Sequence, residues 1–136
     1  MYREVKNKEV TQWISAEGSF VTDIGSFTFR SEGRWNIVAL TDCDLYTIDH
    51  NTYINSAGQI PRWPEIDRLF ITRCLVAVEE SVFNHLYMTA EERYNKLLTE
   101  NPVLFNQVPL QYLASMLGMT PETLSRFRNR SVKNFS

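Results

Sequence analysis

The chain has 136 residues, room for one ordinary domain or two small ones, and its 43% hydrophobic and 12% aromatic content excludes a disordered tail. The net charge of −2 is unlike that of a general polyanion binder, yet the segment after Ser125 carries Arg126, Arg128, Arg130 and Lys133 against no acid. No apolar run approaches ~18 residues, no charged-then-apolar leader opens the chain, and Cys43 and Cys74 have neither pairing nor metal-ligand spacing. The expectation from these observations is a cytoplasmic protein with reduced thiols and without a membrane span, a signal peptide or a cysteine metal centre.

Residues 2–14 alternate polar and apolar about Lys6-Asn7-Lys8 and predict a β-hairpin whose second arm is 9–14. A turn over 15–19 follows. Next come a strand end at Phe20, a glycine-bearing short turn or helix, a polar loop over 30–33, a strand over 35–40, the Thr41-Asp42-Cys43 turn and a strand over 44–48. Asp49 or Asn51 then caps a short helix around Tyr53. The chain has no internal repeat and no low-complexity linker.

The longest helix is predicted over 64–86, with Pro64 at its first position and Glu65 and Asp67 on the positive end of the dipole. Ile66, Phe70, Cys74 and Ala77 form one apolar stripe, and Ile71, Leu75, Val78, Val82 and Leu86 form a second about 100° round the axis. Two stripes call for two neighbours. One side would pack on the β part and the other on a second copy of the helix; the alternative is a helix buried centrally in one domain. His85, Glu79-Glu80 and Glu91-Glu92 read as solvated faces rather than ligands or catalytic pairs. Thr89-Ala90-Glu91-Glu92 is a capping signal for a helix through Leu98, Asn101-Pro102 opens a short helical turn, and Val108-Pro109 leads into the last segment. Residues 101–108 leave room for a minimal β-hairpin wing or none.

Residues 110–129, LQYLASMLGMTPETLSRFRN, read as two short helices joined by a tight turn. Leu113, Ala114 and Leu117 face Leu124 and Phe127 across the pair, and Met119 plugs the corner. Gly118 ends the first helix in the positive-φ conformation that glycine adopts without strain. Thr120 caps the second helix, Pro121 takes its first position, and Glu122 sits at the positive end of its dipole. Pro121, Glu122, Ser125 and Arg126 point outward, followed by the basic run. Arg can donate to guanine and Glu can accept from a cytosine amine, so this face suits a recognition helix in a major groove. The alternative is an ordinary helical hairpin with a solvated basic face.

Gln111 through Arg126, above all Glu122-Thr123-Leu124-Ser125-Arg126, resembles the helix-turn-helix of the Crp/Fnr transcription regulators. The resemblance implies Glu122, Ser125 and Arg126 as base readers, with Thr120, Arg128, Arg130 and Lys133 on phosphates. Pro121 stands where the Crp branch has an arginine, so the run is closer to the Fnr branch and implies a half-site resembling TTGAT rather than TGTGA. Residues 18–40 resemble part of a cyclic-nucleotide-binding β-roll, with Asp23 and Arg34 at the places of the phosphate cassette's glutamate and arginine. Thr22-Asp23 replaces the Gly-Glu of cyclic-nucleotide binders and Trp35 replaces a small hydroxyl residue. Cyclic AMP is therefore not the implied effector, and an unknown small molecule remains.

With the resemblance, the expected fold is α+β. A partial antiparallel β-roll occupies 1–63, the second half of a cyclic-nucleotide-binding-like domain; a dimerisation helix occupies 64–88 and a helix-turn-helix domain 89–136. About four strands are expected where the family's β-roll has about twice as many, which implies an N-terminally truncated sensor half. The expected function is that of a bacterial transcription regulator without cofactor, a homodimer that binds double-stranded DNA, with RNA polymerase as a further partner the resemblance implies. Its dimer interface would hold Ile71, Leu75, Val78 and Val82. The alternative is a dimerisation or interaction fragment without regulated DNA binding. No nucleophile with its base, metal cluster or phosphate-cradling loop suggests an enzyme.

Overall fold

The computed structural model describes residues 1–134 and the side chains of residues 1–130. Its elements are β1 Tyr2–Val5, β2 Lys8–Thr11, α1 Ile24–Phe29, α2 His50–Gln59, α3 Trp63–Tyr87, α4 Ala90–Glu100, α5 Leu104–Gln107, α6 Leu110–Met116 and α7 Pro121–Asn134. This is a mixed α and β protein. Two compact units divide it, one made of residues 1–42 together with 88 onward, the other of residues 43–87.

In the first unit β1 and β2 pair antiparallel, Tyr2 opposite Thr11 and Val5 opposite Lys8. The connection is Lys6-Asn7, with φ of 52° and 61°. Two consecutive left-handed residues match the twist of the flanking strands, so the predicted hairpin forms about the predicted turn. Its second strand stops at Thr11 and not at Ile14, whose side chain turns to pack against the core.

The remaining strands depart from expectation. Where about four were predicted, the described residues hold one two-stranded sheet, and residues 35–40 and 44–48 form no strand beyond a single bridge from Tyr2 to Asn36. Backbone donors and acceptors need a partner to become a strand, and among the described residues these segments have no sheet edge to join beyond that bridge. Ile37 and Val38 accordingly stay exposed.

The core gathers Tyr94, Leu104, Phe105, Leu113, Ala114, Leu117, Leu124 and Phe127. Tyr94 packs edge-on to Phe105 at 5.4 Å and tilted against Phe127 at 5.7 Å, so one aromatic ring links α4, α5 and α7. Helix α4 starts on the predicted capping box. The Glu92 N–H donates to Thr89 Oγ1 at 3.3 Å and the Thr89 N–H donates to Glu92 Oε2 at 2.7 Å. Between α4 and α6, where a minimal wing or none was expected, the described residues hold the short helix α5 and no strand.

In the second unit Asp49 caps α2 by accepting from the Thr52 N–H at 3.0 Å. Tyr53 of α2 holds α3 twice, its ring edge-on to Trp63 at 5.4 Å and its hydroxyl donating to the Asp67 carboxylate. Desolvation first, then that carboxylate, push the Tyr53 hydroxyl up to about 12. Helix α3 spans 25 residues and none of its side chains is buried. Phe70, Cys74 and Ala77 on one stripe are half-buried, whereas Leu75, Val78 and Val82 on the other are exposed, so the helix still has apolar surface to hide.

Candidate nucleic-acid interface

The turn between α6 and α7 is built by backbone bonds that the sequence encodes locally. Gly118 adopts φ 67°, the Met119 N–H reaches back to the Ala114 carbonyl at 3.0 Å, and the Gly118 N–H reaches Ser115 at 3.1 Å. This pair of bonds is a Schellman motif, which satisfies carbonyls that the end of α6 would otherwise orphan. Met119 then packs on the core, as the corner position requires. Two residues on, Thr120 Oγ1 accepts from the Thr123 N–H at 3.3 Å, and Pro121 begins α7 without an N–H to satisfy.

Packing fixes the rotation of α7. Leu124 and Phe127 are 0% and 9% exposed, so the opposite face must point away from the core. On that face lies an open groove of about 690 Å³, lined by Leu110 of α6 and by Pro121, Glu122, Ser125, Arg126, Asn129 and Arg130 of α7. All three residues expected to read bases therefore share one surface. Arg130, expected on phosphate, joins them there. Arg128 is exposed but lies outside the groove, Thr120 serves the cap, and the Lys133 side chain lies outside the described residues.

The electrostatics of the face are simple. Its own backbone N–H, then the Thr120 hydroxyl, hold the Glu122 carboxyl below the usual carboxylate range, so it stays an acceptor. Among the described residues no ion pair engages Arg126, Arg128 or Arg130. Cations in no ion pair among the described residues, beside one carboxylate and an amide, can take a surface that alternates anionic groups with hydrogen-bonding edges.

Two further residues contribute, one of them marked in the sequence and one not. Asn129 follows Ser125 by four positions and Arg126 by three, a spacing that does put it on their face. Arg93 gives no such signal. Its Nε donates to the Leu117 carbonyl at 2.9 Å and its Nη1 to the Met88 carbonyl at 2.7 Å, so one guanidinium joins the end of α6 to the residue before the α4 cap.

The other candidate sites separate into a closed clasp and an open face. Asp23 is buried and caps α1 through the Ser26 N–H at 3.3 Å, while its second oxygen accepts from the Arg34 backbone N–H at 2.6 Å. The Arg34 guanidinium stands 3.9 Å away, and a Cβ at Gly25 would come within 2.8 Å of it. The Arg34 backbone bond is the first cause holding the Asp23 carboxyl below its ordinary range. Both oxygens thus serve the chain itself. The four interface residues expected on the long helix are all exposed, Ile71 38%, Leu75 65%, Val78 48% and Val82 54%. Their spacing of four, three and four is that of a coiled-coil seam.

Among the described residues no three His, Cys, Asp or Glu side chains converge as metal ligands, and no helix is long and apolar enough to cross a membrane. No family model, curated protein or solved structure matches the chain.

Proposed function

We propose that this chain is a DNA-binding transcription regulator of the Crp/Fnr type, acting in the bacterial cytoplasm as a homodimer that reads a two-half-site operator. The observation that carries the reading is the gathering of Glu122, Ser125 and Arg126 on one outward face of a helix whose start and rotation are fixed. Arg126 donates to guanine O6 and N7, Glu122 accepts from a cytosine amine and Ser125 bonds to either kind of edge. Thr120, Arg128, Arg130 and Lys133 contact phosphates, which makes affinity depend on salt.

A single reading helix is short of the span of an operator. The exposed seam of α3 supplies the second copy, so that a dimer carries two reading helices, one for each half-site of an operator whose half-sites lie about 34 Å apart, one turn of DNA. In this reading the region resembling a β-roll is a scaffold whose Asp23 is engaged by its own chain. A regulator then changes DNA affinity through the geometry of the paired α3 helices. The exposed apolar surface of α3 also favours a second reading, a dimerisation module without regulated DNA binding. Selection from random duplex DNA separates the two. Enrichment of an inverted repeat supports the regulator, while a dimer that enriches no sequence supports the module.

A further inference from the structure

We infer that Asn129 is a specificity-determining residue that reads an adenine on the base pair next to the guanine taken by Arg126, an inference that rests on the DNA-reading assignment above. The buried Leu124 and Phe127 fix the rotation of α7, and Asn129 lines the groove with Ser125 and Arg126. It is exposed, and among the described residues no hydrogen bond holds its amide.

The chemistry of that amide sets it apart from its neighbours. Glu122 offers acceptors, Arg126 and Arg130 offer donors, and Ser125 offers one small hydroxyl. Asn129 alone on this face presents a donor and an acceptor side by side in one plane, which is the complement of adenine N7 and N6–H in the major groove. Its carboxamide is neutral, so it releases no counterion and gives a phosphate contact little to gain.

Position gives the base pair. From Arg126 to Asn129 the helix advances three residues, about 4.5 Å along its axis, against a step of about 3.4 Å between base pairs. Two side chains on one stripe with that offset fall on neighbouring pairs.

The test uses the full chain. Selection from random duplex DNA defines the site, and Arg126→Ala identifies its guanine as the position whose discrimination relaxes. Four duplexes that differ only at the neighbouring pair are then titrated. The unmodified chain should prefer adenine about tenfold, and Asn129→Ala should bring the four within about twofold, with binding to random duplex and the salt slope unchanged. Asn129→Asp should move the preference to cytosine, whose N4 amine a carboxylate can accept, a change that a merely structural residue would not produce. Retention of the adenine preference in both variants, or equal weakening on selected and random duplex, overturns the inference. A chain that discriminates at the Arg126 guanine but is indifferent beside it overturns this inference alone. A chain that selects no sequence overturns the DNA-reading assignment and this inference with it.

Discussion

Replacing Arg93 by alanine removes two hydrogen bonds from one charged donor, to the carbonyls of Leu117 and Met88. Hydrogen bonds to a charged group contribute roughly 1.5–3 kcal/mol each when well shielded. Arg93 is only half-buried, so the lower end applies to each. Leu117 is 6% exposed, and its carbonyl lies at a helix end, where no later residue of α6 can replace the lost donor. The sum is about 2–3 kcal/mol of global stability, a fall in melting temperature of roughly 6–12 °C for a chain of this size. Urea titration and thermal melting measure both quantities. Lysine at the same position offers a single point charge that cannot hold two carbonyls in a planar fork, so Arg93→Lys should recover less than half of the loss. An Arg93→Ala protein within about 0.5 kcal/mol of the unmodified chain, the ordinary scatter of surface substitutions, would refute the reasoning. Full recovery by lysine would refute the fork.

Arg126→Ala should weaken specific DNA binding by roughly 1–3 kcal/mol and relax one guanine per half-site, whereas Arg130→Ala should weaken all sequences alike and lower the salt slope by about one. Equal effects of both on specific and random duplexes, measured by fluorescence anisotropy, would remove the base-reading role. Val78→Glu should set two like charges together at the seam of α3 with a cost of several kcal/mol, giving a monomer or an insoluble chain and loss of two-half-site binding. Light scattering that finds the unmodified chain monomeric would remove the interface. For pH, the Thr89 N–H and then its hydroxyl hold the Glu92 carboxyl below its ordinary range. A depressed folded pKa stabilises above the unfolded value and loses that contribution as pH falls through the folded one. Glu92→Gln should therefore lose less stability than the unmodified chain on acidification below about pH 4, and acid melting curves that run parallel for both would contradict the capping box as its source.

The helical part was legible because its signals are local. Thr89 with Glu92, Gly118 before Thr120-Pro121, and Asp49 ahead of α2 each act within a few residues, and each does in the structure what its spacing implies. The hairpin was legible for the same reason, since its two-residue turn sets its register. Residues 35–40 and 44–48 carry the composition of strands, but a strand is completed by a neighbour elsewhere in the chain, and sequence pattern does not reveal whether that neighbour is there. Arg93 shows the same limit in the candidate site. Its partner on α6 lies 24 residues away and is a backbone carbonyl, a group every residue has, so no residue type at any spacing marks the contact. Asn129 differs, because its helical spacing from Ser125 and Arg126 is enough to put it on the reading face.

The hairpin bears on how the molecule is made. The Thr11 N–H donates to Ser115 Oγ at 2.9 Å across a separation of 104 residues, and Ile14 packs on a core otherwise built from α4 to α7. At a synthesis rate of roughly 5–20 residues per second, the hairpin leaves the ribosome on the order of ten seconds before α6 exists to receive it. During that interval β2 has an unpaired edge and Ile14 has no core to enter, so the nascent hairpin is open to capture by a chaperone or by another chain. The helices of the core can assemble among themselves through short-range contacts, but closing the hairpin onto α6 must wait for a loop of about a hundred residues to come together. Folding of this unit should therefore show a fast helical phase and a slower one in which the hairpin docks.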